Sequence, residues 1–218
     1  MPRSRSPSPR VAEPEAVAYA APVTSSRPAL LHTAIVAEVR SRLGVLGGRV
    51  LPAPTGDTGA ILVEHIADAT GLPWVGTLPG PDEIGDLSLR PADAADIVVV
   101  DWLTAQVDRR GSHVAVLGRR APYRVAGIVD DAAFAETESF DRWIRSPGAP
   151  LGLARYATAE QDRVEELATR ADDVADGLLR WIDALGSSTD DDVCLAAAAI
   201  FEDHLIDLLA GEIDLTEV

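Results

Sequence analysis

Leu31, Ile35, Val39 and Leu43 recur every fourth residue, so they share one face of a helix predicted over 29–43. Pro28 sits at its first turn and Gly44 just past its end, the usual asymmetry of helix termini. Gly47-Gly48 turns the chain, and 49–52 reads as a strand. The small residues of 54–59 form a loop, after which Ile61, Leu62, His65, Ile66 and Ala69 predict a helix over 60–70, closed by Gly71. Residues 73–77 read as a second strand. Pro79, Gly80, Pro81, Gly85 and Pro91 then make 77–96 a long mobile connection, of a length that is usually functional or disordered. Next, the branched residues Ile97, Val98, Val99 and Val100 end on Asp101, which reads as a buried strand delivering an acid to its exposed end. A short helix over 112–120 and a strand over 123–129 complete the run.

Residues 136–157 read as a connector around a helical turn at 140–144. Thr158 and Gln161 form a capping box for a helix to about 185, along which Val164, Leu167, Ala171, Val174, Leu178 and Ile182 make one stripe, stopped by Gly186. Asp190, Asp191 and Asp192 open a second helix, which ends before Gly211. Strands alternating with helices predict an α/β fold: a mostly parallel sheet with flanking helices, plus a C-terminal helical hairpin. The implied organisation is a disordered tail over 1–28, an α/β domain over 29–135, the connector, and the hairpin over 158–218. That hairpin packs on the α/β body or on a second subunit.

Composition narrows the function classes. The chain has 218 residues, 47% hydrophobic and 25% charged, enough to bury a core. Its net charge of −16 repels phosphate backbones, which argues against nucleic-acid binding by the folded body. No apolar run approaches the roughly 20 residues of a membrane span, and Pro, Ser and Glu interrupt the N-terminus where a signal peptide would be apolar. A cytoplasmic location is expected. The single Cys194 excludes an intrachain disulfide. All 19 basic residues are Arg, which excludes P-loop, kinase and Schiff-base mechanisms that need a lysine.

Several motifs are better explained by helix surfaces than by chemistry. Asp172, Asp173 and Asp176 match the DDxxD pattern of magnesium-binding prenyl-diphosphate enzymes, yet they lie opposite the apolar stripe of their helix. Asp190–Asp192 suit a helix N-terminus, and His32, His65, His113 and His204 lack the paired spacing of metal ligands. The loop at 54–59 opens onto the predicted helix and could cradle phosphate with backbone N–H groups, although an ordinary turn has the same composition.

The order of strand, small-residue loop, helix, strand, long loop and the 97–106 segment resembles the type I phosphoribosyltransferase family over roughly residues 30–131. The resemblance implies a pyrophosphate loop at Thr55, Gly56, Asp57, Thr58 and Gly59, a hood loop over 77–96, and a loop holding phosphoribosyl pyrophosphate over 101–106. In that frame Asp101 is the catalytic candidate, engaging ribose hydroxyls. Thr55, Thr58 and Thr104 contact phosphate, Arg109 or Arg110 adds positive charge, and Trp102 stacks on a base. Mg2+ is the ion such a site implies. The family carries two adjacent acids where Val100-Asp101 supplies one, and the turn from Leu103 to Gln106 lacks its glycine. The segment from Gly111 to Ala115 is also similar to the Gly-Thr-x-x-Glu turn of nucleoside 2-deoxyribosyltransferases, with Ala115 in place of the nucleophilic Glu.

Two functional expectations follow. One is a phosphoribosyltransferase-like domain that binds a phosphorylated sugar or nucleotide and catalyses glycosyl transfer by stabilising an oxocarbenium-like state. The other is a non-catalytic assembly or regulatory protein acting through its C-terminal helices on a protein partner or a second copy.

Overall fold

The computed structural model describes residues 27–47, 49–51, 62–64, 71–77, 88–107, 109, 113–128, 132–136, 160–188 and 190–211. In chain order the elements are α1 (Arg27–Leu43), β1 (Arg49–Leu51), β2 (Leu62–Glu64), β3 (Trp74–Thr77), α2 (Pro91–Leu103), β4 (Val114–Leu117), β5 (Arg124–Gly127), α3 (Gln161–Ser188) and α4 (Asp191–Ala210). The described residues form a helical assembly carrying two small antiparallel sheets, β1-β2 and β3-β4-β5.

This overturns the mostly parallel sheet. Each named strand pair is antiparallel: Val50 opposes Val63, Trp74 opposes Leu117, and Val114 opposes Gly127. The decisive change is at Ile97–Val100, which lies in the middle of α2 rather than in a strand. A short, fully apolar run has the same appearance in a buried strand and in a helix buried on every side. Flanking residues decide between them. Pro91 opens the helix, Asp93 sits in its first turn, and Ala92, Ala94 and Ala95 are strong helix formers. Every residue from Asp93 to Asp101 is buried, so the valines lose little by being helical and gain a complete shell of apolar neighbours. Part of the expected mobile connection, Pro91–Asp96, is therefore the first half of a core helix.

Two further assignments change. Val114–Leu117 is a strand, where a helix was expected over 112–120. Its alternation is the reason: Val114 and Val116 enter the main core, while Ala115 and Leu117 face a smaller cluster with Ala126. Within the helix expected over 60–70, Leu62–Glu64 pairs with β1 as a strand. The other residues of that segment, the tail over 1–26, the Thr158 cap and the turn at 140–144 lie outside the described residues.

The remaining elements follow their sequence signals. After α1, Gly44 adopts φ +68°, and the N–H groups of Gly44 and Val45 bond to the carbonyls of Ser41 and Arg40. This left-handed stop needs glycine's freedom. At the start of α4 the Asp190 carboxylate accepts from the Val193 N–H, and at its end Gly211 stands at φ +72°. Gly186 does not stop α3, which runs on to Ser188. A Cβ there would lie 2.9 Å from the Cβ of Cys194, so the glycine lets α4 approach α3 closely. α3 packs against α1, α2 and α4, and residues of all four helices and of β4 and β5 share one apolar core. No helix among the described residues is long and apolar enough to cross a membrane.

Candidate functional site

Three buried acids of α2 each meet an arginine from a different part of the chain. Asp93 accepts from Arg124 Nε on β5 and from the Val125 N–H at 3.3 Å. Asp96 Oδ1 accepts from Arg163 Nε on α3 at 2.7 Å. Asp101 takes a two-pronged contact from Arg109, with Nε to Oδ2 at 2.9 Å and Nη2 to Oδ1 at 2.5 Å. Arg109 also donates Nη1 to the His113 carbonyl at 3.3 Å. Both members of this last pair are deeply buried, Asp101 at 3% and Arg109 at 1% exposure. A charge so desolvated persists only when its partner is equally fixed.

The sequence places Asp101 and Arg109 as parts of one ligand site, and the structure does bring them together. It joins them to each other, leaving both carboxylate oxygens engaged by a guanidinium and directed into the core. Thr104 is fully buried and donates its hydroxyl to the Val100 carbonyl at 2.7 Å, inside its own helix. Trp102 reaches α4: its Nε1 donates to the His204 carbonyl at 3.1 Å, while His204 Nδ1 lies 2.6 Å from the Trp102 carbonyl. Their rings stand 5.6 Å apart. These two residues staple α2 to α4. Thr55, Gly56, Asp57, Thr58, Gly59 and Arg110 lie outside the described residues. Among the described residues no group of three or more His, Cys, Asp or Glu is placed to hold a metal ion. The oxygens of Asp101, already accepting from Arg109, do not suit Mg2+.

Just beyond α2 the backbone is strained: Ala105 and Phe134 take φ +43° and +57°. The Phe134 and Ala135 N–H groups bond to the carbonyls of Thr104 and Ala105, which fixes this crossing of two loops. The ring of Phe134 meets His32 of α1 edge-on at 5.3 Å, and burial lowers the His32 pKa. The arrangement braces the turn carrying Gln106 toward Arg109.

Electrostatics at Asp96 has a measurable consequence. Burial pushes its carboxyl above the usual range, partly offset by the Arg163 hydrogen bond and charge. In the same pair Arg163 is held more firmly protonated. A raised acid contributes stability that is complete below its unfolded value and lost as pH rises through its folded value. Arg163→Gln removes the offset, so Asp96 rises further and more is lost toward neutrality. The variant is expected to be less stable by about 2 kcal/mol near neutral pH. Its deficit in urea unfolding narrows as the pH is lowered and Asp96 is protonated in both states.

The exposed surface offers a different kind of feature. α4 is apolar on two faces. Inward, Cys194, Ala197, Phe201, Leu205 and Leu208 are buried in the core. Outward, Leu195, Ala199, Glu202, Ile206 and Leu209 follow a four-three spacing and are all exposed, with Leu195 at 54%, Ile206 at 64% and Leu209 at 48%. That spacing puts them along one line of the helix, as in the seam of a coiled coil. At its C-terminal end the line meets a cavity of about 420 Å3 between α3 and α4, lined by Val164, Glu165, Ala168, Thr169, Leu208 and Leu209 among others. This surface was not singled out from the sequence. Its signal is there in the second four-three repeat, offset from the one that fills the core.

No protein-family model, no curated protein and no solved structure matches the chain.

Proposed function

We propose that the chain is a non-catalytic interaction protein that binds a protein partner through the outward face of α4. The observation that carries this is the second apolar seam. A helix that carries large apolar residues on two faces is ordinarily covered on both, and among the described residues α4 is covered on its inward face only. The acid that would serve catalysis, Asp101, is engaged instead in holding α2 to Arg109.

Removing 158–218 would not test this reading, because α3 and α4 complete the core that buries α2. Exposed positions on α4 are the proper targets. Partners are captured from the cells that make the protein, identified, purified and rebound to the full chain and to a Leu195→Ser/Ile206→Ser variant. The double substitution is expected to weaken the purified complex by roughly 30-fold or more, the loss typical of interface hot spots, with the melting temperature unchanged. Equal binding by both proteins would sink the proposal.

A further inference from the structure

The charges around the outward seam specify what lies on it. α4 carries Asp191, Asp192, Glu202, Asp203 and Asp207 and no Arg or Lys. Asp192 and Asp203 follow one edge of the seam, and Asp191 stands beyond Leu195 at its N-terminal end. Glu202 falls inside the seam itself, between Ala199 and Ile206. The cavity beyond Leu209 repeats the pattern, with an apolar floor from Val164, Ala168 and Leu208 and a carboxylate, Glu165, on its lining.

Resting on the interaction reading above, we infer that the occupant is a basic amphipathic helix of another protein: apolar residues at four-three spacing, flanked by Arg or Lys, with one basic residue opposite Glu202. Shape supplies the helix. From Leu195 to Leu209 the seam is about 21 Å long at ~1.5 Å per residue, the length over which a second helix of about four turns interlocks its side chains. Charge supplies the sign. A second copy of α4 would set Asp191, Asp192, Glu202 and Asp203 against the same four acids with no base among them, in a chain whose net charge is already −16. A basic helix instead neutralises the acidic edge, and a polar residue within an apolar seam fixes register, because any shift strands Glu202 against a hydrophobic side chain. The cavity then suits the stem of an Arg or Lys, whose methylenes pack on Leu208 while its head reaches Glu165.

The test uses the full chain and two labelled synthetic helices of about 20 residues that share the same leucine seam. One carries Arg at the flanks and opposite Glu202, and the other carries Glu at those positions. Fluorescence anisotropy should show saturable binding of the Arg helix, at least tenfold tighter than of the Glu helix and weakening with added salt. Ile206→Asp, at an exposed position, should abolish it. Glu202→Arg should weaken the Arg helix by roughly tenfold and strengthen the Glu helix. Equal binding of the two helices, each lost in Ile206→Asp, would overturn the basic partner while leaving the interaction reading in place. No binding of either helix also overturns it, and the interaction reading is then judged separately by the purified partner and the Leu195→Ser/Ile206→Ser variant. Concentration-dependent dimers in sedimentation, dissolved by Ile206→Asp, would make a second copy the occupant and reject the inference.

Discussion

Replacing Arg109 with Met should lower the unfolding free energy by about 3–5 kcal/mol, the loss seen when one member of a buried ion pair is removed. Asp101 is then a carboxylate at 3% exposure without the two donors that Arg109 aims at it. Asp101→Ala should cost a similar amount for the mirror reason, because it strands a guanidinium at 1% exposure. The informative measurement is the double variant, Asp101→Leu with Arg109→Met. With both charges gone the desolvation cost disappears, and much of the loss should be recovered in urea unfolding. Purely additive destabilisation would show that neither charge depends on the other. Glycine at 127 protects the same pair. A Cβ there would lie 3.1 Å from Arg109 Cζ and 2.6 Å from Arg40 Nη2, so β5 presents bare backbone where the two arginines pass.

The second large effect separates the two faces of α4. Phe201→Ala should destabilise the protein by about 3–5 kcal/mol, since the ring is 1% exposed at the centre of the shared core and its removal leaves a cavity. Ile206→Ala, five residues on, should stay within about 0.5 kcal/mol of the native protein, because 64% of that residue already faces solvent. Thermal or urea unfolding of the pair checks this directly. A large loss at Ile206 would mean that the outward seam is covered within the chain itself, which would remove the ground for a partner.

Much of the helical framework could be read from the sequence. Four-residue spacing with Gly44 beyond it marked α1. The stripe through Leu167, Ala171 and Leu178 marked α3, and Asp190 and Gly211 bracketed α4. These helices are amphipathic or capped, so periodicity and terminal chemistry identify them. α2 is neither. It is buried around its whole circumference from Asp93 to Asp101, and the valines favour a strand by local propensity until burial overrides them. A strand at 97–100 implies a parallel sheet, because it requires crossover connections on both sides. The helix expected over 112–120 fitted such a crossover, whereas Val114–Leu117 is a strand.

The candidate site shows the same limit. Asp101, Trp102, Thr104 and Arg109 were all singled out, and the structure finds them close together at one end of α2. What the sequence could not show is where each polar group points. The Asp101–Arg109 bond spans eight residues, and the Trp102–His204 bonds span 102. No local pattern encodes either pairing. The exposed seam was hidden for another reason: the alanine-rich run before Ile200 is equally compatible with burial on every side.

The deep burial of α2 also sets the order of events during synthesis. Its apolar surface is completed by residues that come much later, from Val164 through Leu208. After Ile97–Val100 leaves the ribosome, about 100 further residues must follow before Leu208 emerges, a delay of ~5–20 s at typical elongation rates. Through that interval the nascent chain carries a stretch of valine and isoleucine that α1, β4 and β5 cover only in part. Chaperone demand during translation should therefore peak in the middle third of the chain and fall as α4 emerges.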